Sequence, residues 1–240
     1  MCNTSIEAGV FQWTAPDTRW LSTGWDGGYR RAESAYNVSV PTGWDGQHLA
    51  EYVDRRRRRA GFETDGPSLL TGVDLVHARG ARMDAVTVYA TVGLSNPATL
   101  PMGDANPNDH PDLDSTESID VGTVNLLVRT TTTLTDGALA TLVATAVEAK
   151  TATLLALADF TGTTSDAVIA GAPAVGDAAR TDPAPWAGSA TALGNATRIC
   201  VRDAVRASFR SRYADDVVPD SVVEADHGVV SSGAAEVFEL

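Results

Sequence analysis

The stretch from residue 121 to 158 limits the fold more than any other part of the chain. Val121 to Thr133 reads Val-Gly-Thr-Val-Asn-Leu-Leu-Val-Arg followed by four threonines. Apolar residues in near-continuous succession mark a strand covered on both faces, here running into an exposed end. Thr135 or Asp136 can then cap a helix in which Leu139, Leu142, Val143, Ala146, Val147 and Leu154 recur at helical spacing. This is the longest helix the sequence predicts, and its many alanines let it lie close against a sheet. Glu148 and Lys150 interrupt the apolar segment Ala138 to Ala158, so it reads as a core helix rather than a membrane span.

The remaining elements suit a layered arrangement. Glycines at 24, 27, 28 and 43 punctuate short β-type runs such as Tyr36 to Val40. A helix over 47–60 is closed by Gly61, and Ala85 to Val92 is rich in β-branched residues and predicts a strand. Thr161 to Thr164 form a turn into a short strand at Asp166 to Ala170, and Leu193 to Tyr213 predict a second amphipathic helix. Strands separated by long helices predict an α+β fold, a single layered α/β sandwich domain spanning residues 1–240. Residues 101–120 form an acidic loop, and the acidic tail from about residue 214, poor in aromatics, is expected to be weakly ordered.

Charge bounds the partners. The net charge is −13, from 31 acids against 18 bases, with aspartate far outnumbering glutamate. Dense short carboxylates hold hydration at high salt, where their repulsion is screened, so the composition predicts a halophilic cytoplasmic protein. An acidic surface repels phosphate backbones, which argues against nucleic acid as a partner. The run Arg55 to Arg59 reads as the solvated C-terminal end of the 47–60 helix, where cations oppose the dipole. Cys2 and Cys200 are too few for a disulfide framework, and the first residues have no basic region followed by an apolar run, as a signal peptide would. Lys150 is the single lysine among the 18 bases. A compact ammonium that tolerates partial burial can do what arginine cannot, which marks Lys150 for a specific role.

The usual hydrolytic constellations are missing. His48, His77, His110 and His227 lack ligand spacing, so no metal site is expected, and there is no Gly-x-Ser-x-Gly elbow. Asp104, Asn106 and Asn108 imitate the start of a calcium loop, but Asp109 replaces the required glycine and Ser115 the closing glutamate.

Three ordered segments carry a family resemblance: Gly122-Thr123-Val124-Asn125, Glu148-Ala149-Lys150-Thr151-Ala152 and Thr161-Gly162-Thr163-Thr164-Ser165-Asp166. In order and spacing they resemble the signature segments of the adenosylcobinamide amidohydrolases. Trp20 to Gly28, Asn37 and Thr91 to Asn96 extend the similarity over most of residues 18–210. The resemblance implies cleavage of the amide that links aminopropanol to the corrin ring of adenosylcobinamide, giving adenosylcobyric acid in cobalamin salvage. The corrinoid is then the substrate, and no cofactor is implied. Two departures stand out. Thr164 and Ser165 replace the family's second Gly-Thr, and Gly188 to Gly194 lacks a histidine that the family has, so no role for that histidine carries over.

The order of strand, threonine-rich end, alanine-rich helix and glycine turn is also remotely similar to the L-aminopeptidase and ornithine acetyltransferase superfamily. That likeness implies an αββα fold with Thr123 as nucleophile, a residue that in that group is often exposed by self-cleavage. On this reading Lys150 or Glu148 assists proton transfer, and Asn125 or backbone amides near Gly93 stabilise the oxyanion. Asn96, Thr161, Gly162, Thr163, Thr164 and Asp166 are expected to bind substrate. Glu148 and Lys150, two apart on a helix, point to different sides and cannot pair with each other. Competing readings are a corrinoid-binding protein without catalysis, and an amidase or aminopeptidase acting on another substrate.

Overall fold

The computed structural model describes residues 2–41, 43–44, 46–103, 122–174, 182–225 and 227–239. The calcium-like spacing after Asp104, His110 and most of the acidic loop lie outside these residues.

The predicted central strand is β8, Val124–Thr130, buried along its whole length. Val124, Leu126 and Val128 enter a core beneath two helices, whereas Leu127 enters a second core on the opposite face. Burial on both faces explains the unbroken apolar pattern. Strand β8 runs parallel to β10, Ala167–Pro173. Parallel neighbours need a crossover, and α2, Asp136–Ala158, supplies it. Thr135 caps α2, its Oγ1 accepting from the Ala138 amide at 3.2 Å. The composition of α2 would allow a membrane crossing, yet Leu139, Leu142 and Leu154 pack in the core under the sheet.

Strands β6, Val86–Val92, and β5, Arg79–Met83, continue the sheet beyond β8 in antiparallel fashion. Helix α3, Ala192–Arg212, packs beside α2 against β6 and β5. On the other side, β10 pairs with β2, Val10–Ser22, which forms a long hairpin with β3, Gly28–Ser39. The sequence pattern suggests several short strands here. The structure has two long ones, because Gly24, Gly27 and Gly28 serve a single turn and the register shift between Thr14 and Thr18 is absorbed without ending the strand. Strands β1, Asn3–Glu7, and β4, Ser68–Thr71, complete the sheet, whose order is β4-β3-β2-β10-β8-β6-β5 with β1 on β2.

This sheet curls until the hairpin lies over β10, β8 and β6. Trp13 of β2 meets Tyr89 of β6 edge-on with ring centroids 4.8 Å apart, and Phe11, Trp20, Leu69, Leu127 and Ile169 fill the slot between the two halves. Helix α1, Leu49–Arg59, covers the outside of the hairpin, where Tyr52 and Val53 join Tyr36 and Val38. The layers therefore run helices, sheet, sheet, helix, an α+β sandwich of the layered kind expected.

The arginine run differs from its expected form. Arg57 is buried, and its Nη1 donates to the carbonyls of Phe62, Glu63 and Thr64 at 3.0, 2.7 and 2.7 Å, while the half-buried Arg56 donates to the carbonyls of Ser39 and Ala8, both at 2.9 Å, so two arginines of the five fasten neighbouring backbone rather than facing solvent. A small second sheet, β11-β7-β9, is built from Val229–Val230, Pro97–Thr99 and Gly162–Thr163. The tail expected to be weakly ordered thus contributes β11, because β7 offers it an open edge.

Candidate active site

The slot between the two halves of the sheet is apolar in its middle and polar at one mouth, where the start of β8 meets the ends of β3, β4 and β6. In β8 the odd-numbered residues face the slot, so Thr123 and Asn125 enter it beside Leu127. Asn125 is fully buried, and its Nδ2 donates to Asn37 Oδ1 at 2.8 Å and to the Leu70 carbonyl at 2.7 Å. Asn37 Nδ2 donates to Thr91 Oγ1 at 3.0 Å. Because the Leu70 carbonyl can only accept, the orientation of the Asn125 amide is fixed with nitrogen toward it. The Asn125 Oδ1 is then left buried with no partner. A buried unsatisfied acceptor is costly, and such groups collect at functional sites.

Thr123 is also buried, and its hydroxyl donates to Thr71 Oγ1 at 3.1 Å. Thr71 Oγ1 further accepts from the Val73 amide at 3.1 Å, and the Thr71 carbonyl accepts from the Val40 amide at 2.8 Å. The end of β4 is therefore held at several points, and Thr123 points its proton at a fixed oxygen. Asn37, noted only as part of a family segment, and Thr71, not anticipated at all, are central to this cluster. A lone threonine in a four-residue strand has no spacing that could have revealed it.

Beside the mouth, Asp166 ties three elements together. Its Oδ1 accepts from the Val124 amide at 2.9 Å and from Thr163 Oγ1 at 2.5 Å, and its Oδ2 accepts from the Thr163 amide at 3.1 Å and pairs with Lys150 Nζ. Lys150 and Asp166 are both largely buried, with side-chain exposures of 7% and 14%. Gly162 makes room for the pair, since a Cβ there would come within 2.7 Å of Lys150 Nζ. Asn96 is tied to the same turn: its Nδ2 donates to Thr164 Oγ1 at 2.6 Å, and its carbonyl accepts from the Thr164 amide at 3.1 Å. Ser165 Oγ donates to the Gly122 carbonyl at 3.2 Å, and Asn96 Oδ1 is buried without a partner. Thr161 Oγ1 donates to the Ala98 carbonyl at 2.8 Å.

The structure thus gathers Thr123, Asn125, Lys150, Asn96 and the Thr161–Asp166 turn at one mouth. It does not bring Glu148 there. Glu148 faces outward on α2 and forms an exposed ion pair with Arg198 of α3. The Gly93 amide is engaged by the Thr123 carbonyl at 3.0 Å. Loop 93–96 is clasped by α3, where the Tyr213 hydroxyl accepts from the Leu94 amide at 2.7 Å. Burial raises the Tyr213 pKa, opposed in part by the Leu94 hydrogen bond and the Arg212 charge.

Thr123, Ser165 and Asp166 form the polar end of a cleft of about 340 Å³ whose other walls include Trp25, Trp44 and Leu69. Of the five tryptophans, Trp25 and Trp44 line this cleft, Trp13 and Trp20 belong to the core, and Trp186 is exposed.

Fold and site together define a layered α/β sandwich that holds at one mouth a hydroxyl set against a fixed partner, a buried amide acceptor, an ion pair and an apolar cleft. Residues 5–216 match the family model described as adenosylcobinamide amidohydrolase. The chain belongs to that family, whose members are hydrolases of an amide bond. It is 50% identical over 240 residues to an adenosylcobinamide amidohydrolase of Halobacterium salinarum, covering 99% of each chain. It is 28% identical over 197 residues to one of Methanosarcina mazei, covering 80% of this chain and 90% of that one. Among solved structures, the PH0078 protein of Pyrococcus horikoshii OT3 aligns with a TM-score of 0.39 at 10% identity, over 86% of this chain and 78% of the other.

Proposed function

We propose that this chain hydrolyses the aminopropanol amide of adenosylcobinamide at the Thr123 mouth, with Thr123 as nucleophile. The observation that carries the assignment is the buried Thr123 hydroxyl. It donates to Thr71 Oγ1 at the polar end of a cleft whose other walls are aromatic and aliphatic. A hydroxyl whose proton is directed at a fixed oxygen keeps its lone pairs available for attack.

In the proposed reaction Thr123 Oγ1 attacks the amide carbon, the carbon–nitrogen bond breaks, and aminopropanol leaves carrying the proton given up by the hydroxyl. Water then hydrolyses the ester, releasing adenosylcobyric acid and restoring Thr123. Asn125 spends both amide protons on Asn37 and Leu70, so its role is that of an acceptor, through Oδ1, for the substrate nitrogen or the departing amine. Lys150 acts as a positioning residue: it holds Asp166, which in turn holds the Val124 amide next to Thr123 and the Thr163 turn. Thr161, Gly162, Thr163, Thr164 and Asn96 brace that turn and shape the polar end of the cleft. A cleft of about 340 Å³ is at the small end of ligand sites. It suits the amide arm and one edge of the macrocycle, with Trp25 and Trp44 as flat apolar walls.

The test is mass spectrometry of products after incubation with adenosylcobinamide in concentrated KCl. Wild type should release adenosylcobyric acid. Thr123→Ala should release none while still folding and binding, and Thr123→Ser should retain turnover. Full activity of Thr123→Ala would overturn the nucleophile. Binding without product in the wild type would indicate a corrinoid-binding protein, and cleavage of peptide or acyl-amine competitors alone would indicate another amidase. The intact mass of the purified chain reports separately on cleavage before Thr123.

A further inference from the structure

Strand β8 has a second polar end, six residues beyond Thr123. Arg129 leaves the strand on the same face as Asn125 and Leu127, so it enters the slot between the sheet halves at the opposite mouth. It is 9% exposed, and its Nε donates to Thr18 Oγ1 at 3.1 Å. Among the described residues it takes part in no ion pair. A buried guanidinium is stable only when its charge is met. The chain is strongly acidic, yet among the described residues only the Thr18 hydroxyl meets Arg129.

Arg129 lines a pocket of about 500 Å³ together with Arg82, Thr87, Thr131, Trp13 and Tyr89. Arg82 donates its Nε to Thr87 Oγ1 at 3.1 Å and likewise forms no ion pair among the described residues. Asp84, in the turn between β5 and β6, is the one carboxylate on the wall among the described residues, and it pairs with neither arginine. Two guanidiniums against one carboxylate leave the pocket cationic in a strongly anionic protein.

We propose that this pocket binds a phosphate-type oxyanion. The planar fork of arginine matches a tetrahedral oxyanion with two parallel hydrogen bonds, and Thr87 and Thr131 add hydroxyls to the wall. Six residues of strand separate it from Thr123, roughly 20 Å at about 3.3 Å per residue. The site is therefore distinct from the amide-cleaving mouth and does not depend on the reaction assigned to that mouth. Asp84 opposes the anion and sets its affinity.

Titration of the full chain with inorganic phosphate, at ionic strength held constant with KCl, tests the proposal through calorimetry and the fluorescence of Trp13 on the pocket wall. Saturable binding is expected, weakened about tenfold or more in Arg129→Gln, since hydrogen bonds to charged groups are the strong ones. Arg82→Gln should weaken it as well, and Asp84→Asn should tighten it. Adenosine monophosphate in place of phosphate distinguishes the source: tighter binding than phosphate assigns the site to a phosphate ester, weaker binding to the free ion. A response that does not saturate overturns the proposal. So does one that is the same in wild type, Arg82→Gln and Asp84→Asn, an outcome readable even if Arg129→Gln fails to fold.

Discussion

Lys150 Nζ and the Asp166 carboxylate form a largely buried ion pair that joins α2 to the turn before β10 and, through the Val124 amide, to the first residues of β8. The only lysine of the chain is thus placed where removing it leaves a carboxylate buried among backbone amides. Lys150→Met should lower unfolding free energy by about 3–5 kcal/mol, the usual cost of breaking a buried pair by removing one partner. Lys150→Arg should not restore it, because the ammonium lies so close to Gly162 that even a Cβ there would meet it at 2.7 Å, and a guanidinium is bulkier. Denaturant titrations of the two variants check both statements.

The hydroxyl of Thr71 is predicted to matter for turnover more than for binding. Thr71→Val keeps the shape but removes the acceptor of the Thr123 proton and of the Val73 amide. On adenosylcobinamide, kcat should fall about 10- to 100-fold with KM little changed, as misplacement of the proposed nucleophile Thr123 predicts. Thr71→Ser should recover most of the loss. An equal loss in Thr71→Ser would assign the effect to packing.

Tyr213 predicts the alkaline behaviour. Its pKa is raised in the folded chain, chiefly by burial. The folded state therefore keeps the phenol proton where the unfolded state has lost it, and stability falls as pH rises past about 10, the unfolded value, toward the folded value. Tyr213→Phe should flatten this slope in thermal melts between neutral and alkaline pH. At neutral pH the same variant should be less stable by about 1–3 kcal/mol, because the buried Leu94 amide loses its acceptor.

The two cysteines should differ in reactivity. Cys2 is exposed and Cys200 buried. Burial raises the Cys200 pKa, with Asp203 and then Asp84 adding to the effect against a hydrogen bond from the Met83 backbone. Less thiolate and no access mean slow alkylation. Iodoacetamide should modify Cys2 in the native protein and Cys200 only after denaturation, which peptide mass spectrometry resolves.

Much of the local architecture was legible beforehand. The β8–α2–β10 unit, a cap at Thr135 or Asp136, α1, β6 and α3 all follow from periodicity, capping residues and glycine stops, which act over a few neighbours. Strands β4 and β5 were not legible, because each is short and exists through pairing with a neighbour. The hairpin of β2 and β3 was read as shorter pieces, since glycine marks a turn without telling how far the flanking strands extend. At the site, the lone lysine and the three threonine- and glycine-bearing segments drew attention to Thr123, Lys150 and Asp166 without their contacts. Spacing on α2 separated Glu148 from Lys150 correctly but left open which of them faces the site. Packing decided in favour of Lys150, because Glu148 sits on the side of α2 that meets Arg198 at the surface.

By itself the sequence determined the long helices, the β8–α2–β10 order and the chemical stock of the site, since helix and strand periods, caps and turns are written in adjacent residues. Only the tertiary structure decided which groups meet. Thr71 and Thr123 are 52 residues apart and Asn37 and Asn125 are 88 apart, and the curl that lays the hairpin over β8 brings each pair together. Contacts of that range arise from how whole layers pack, and no local pattern in the chain encodes them.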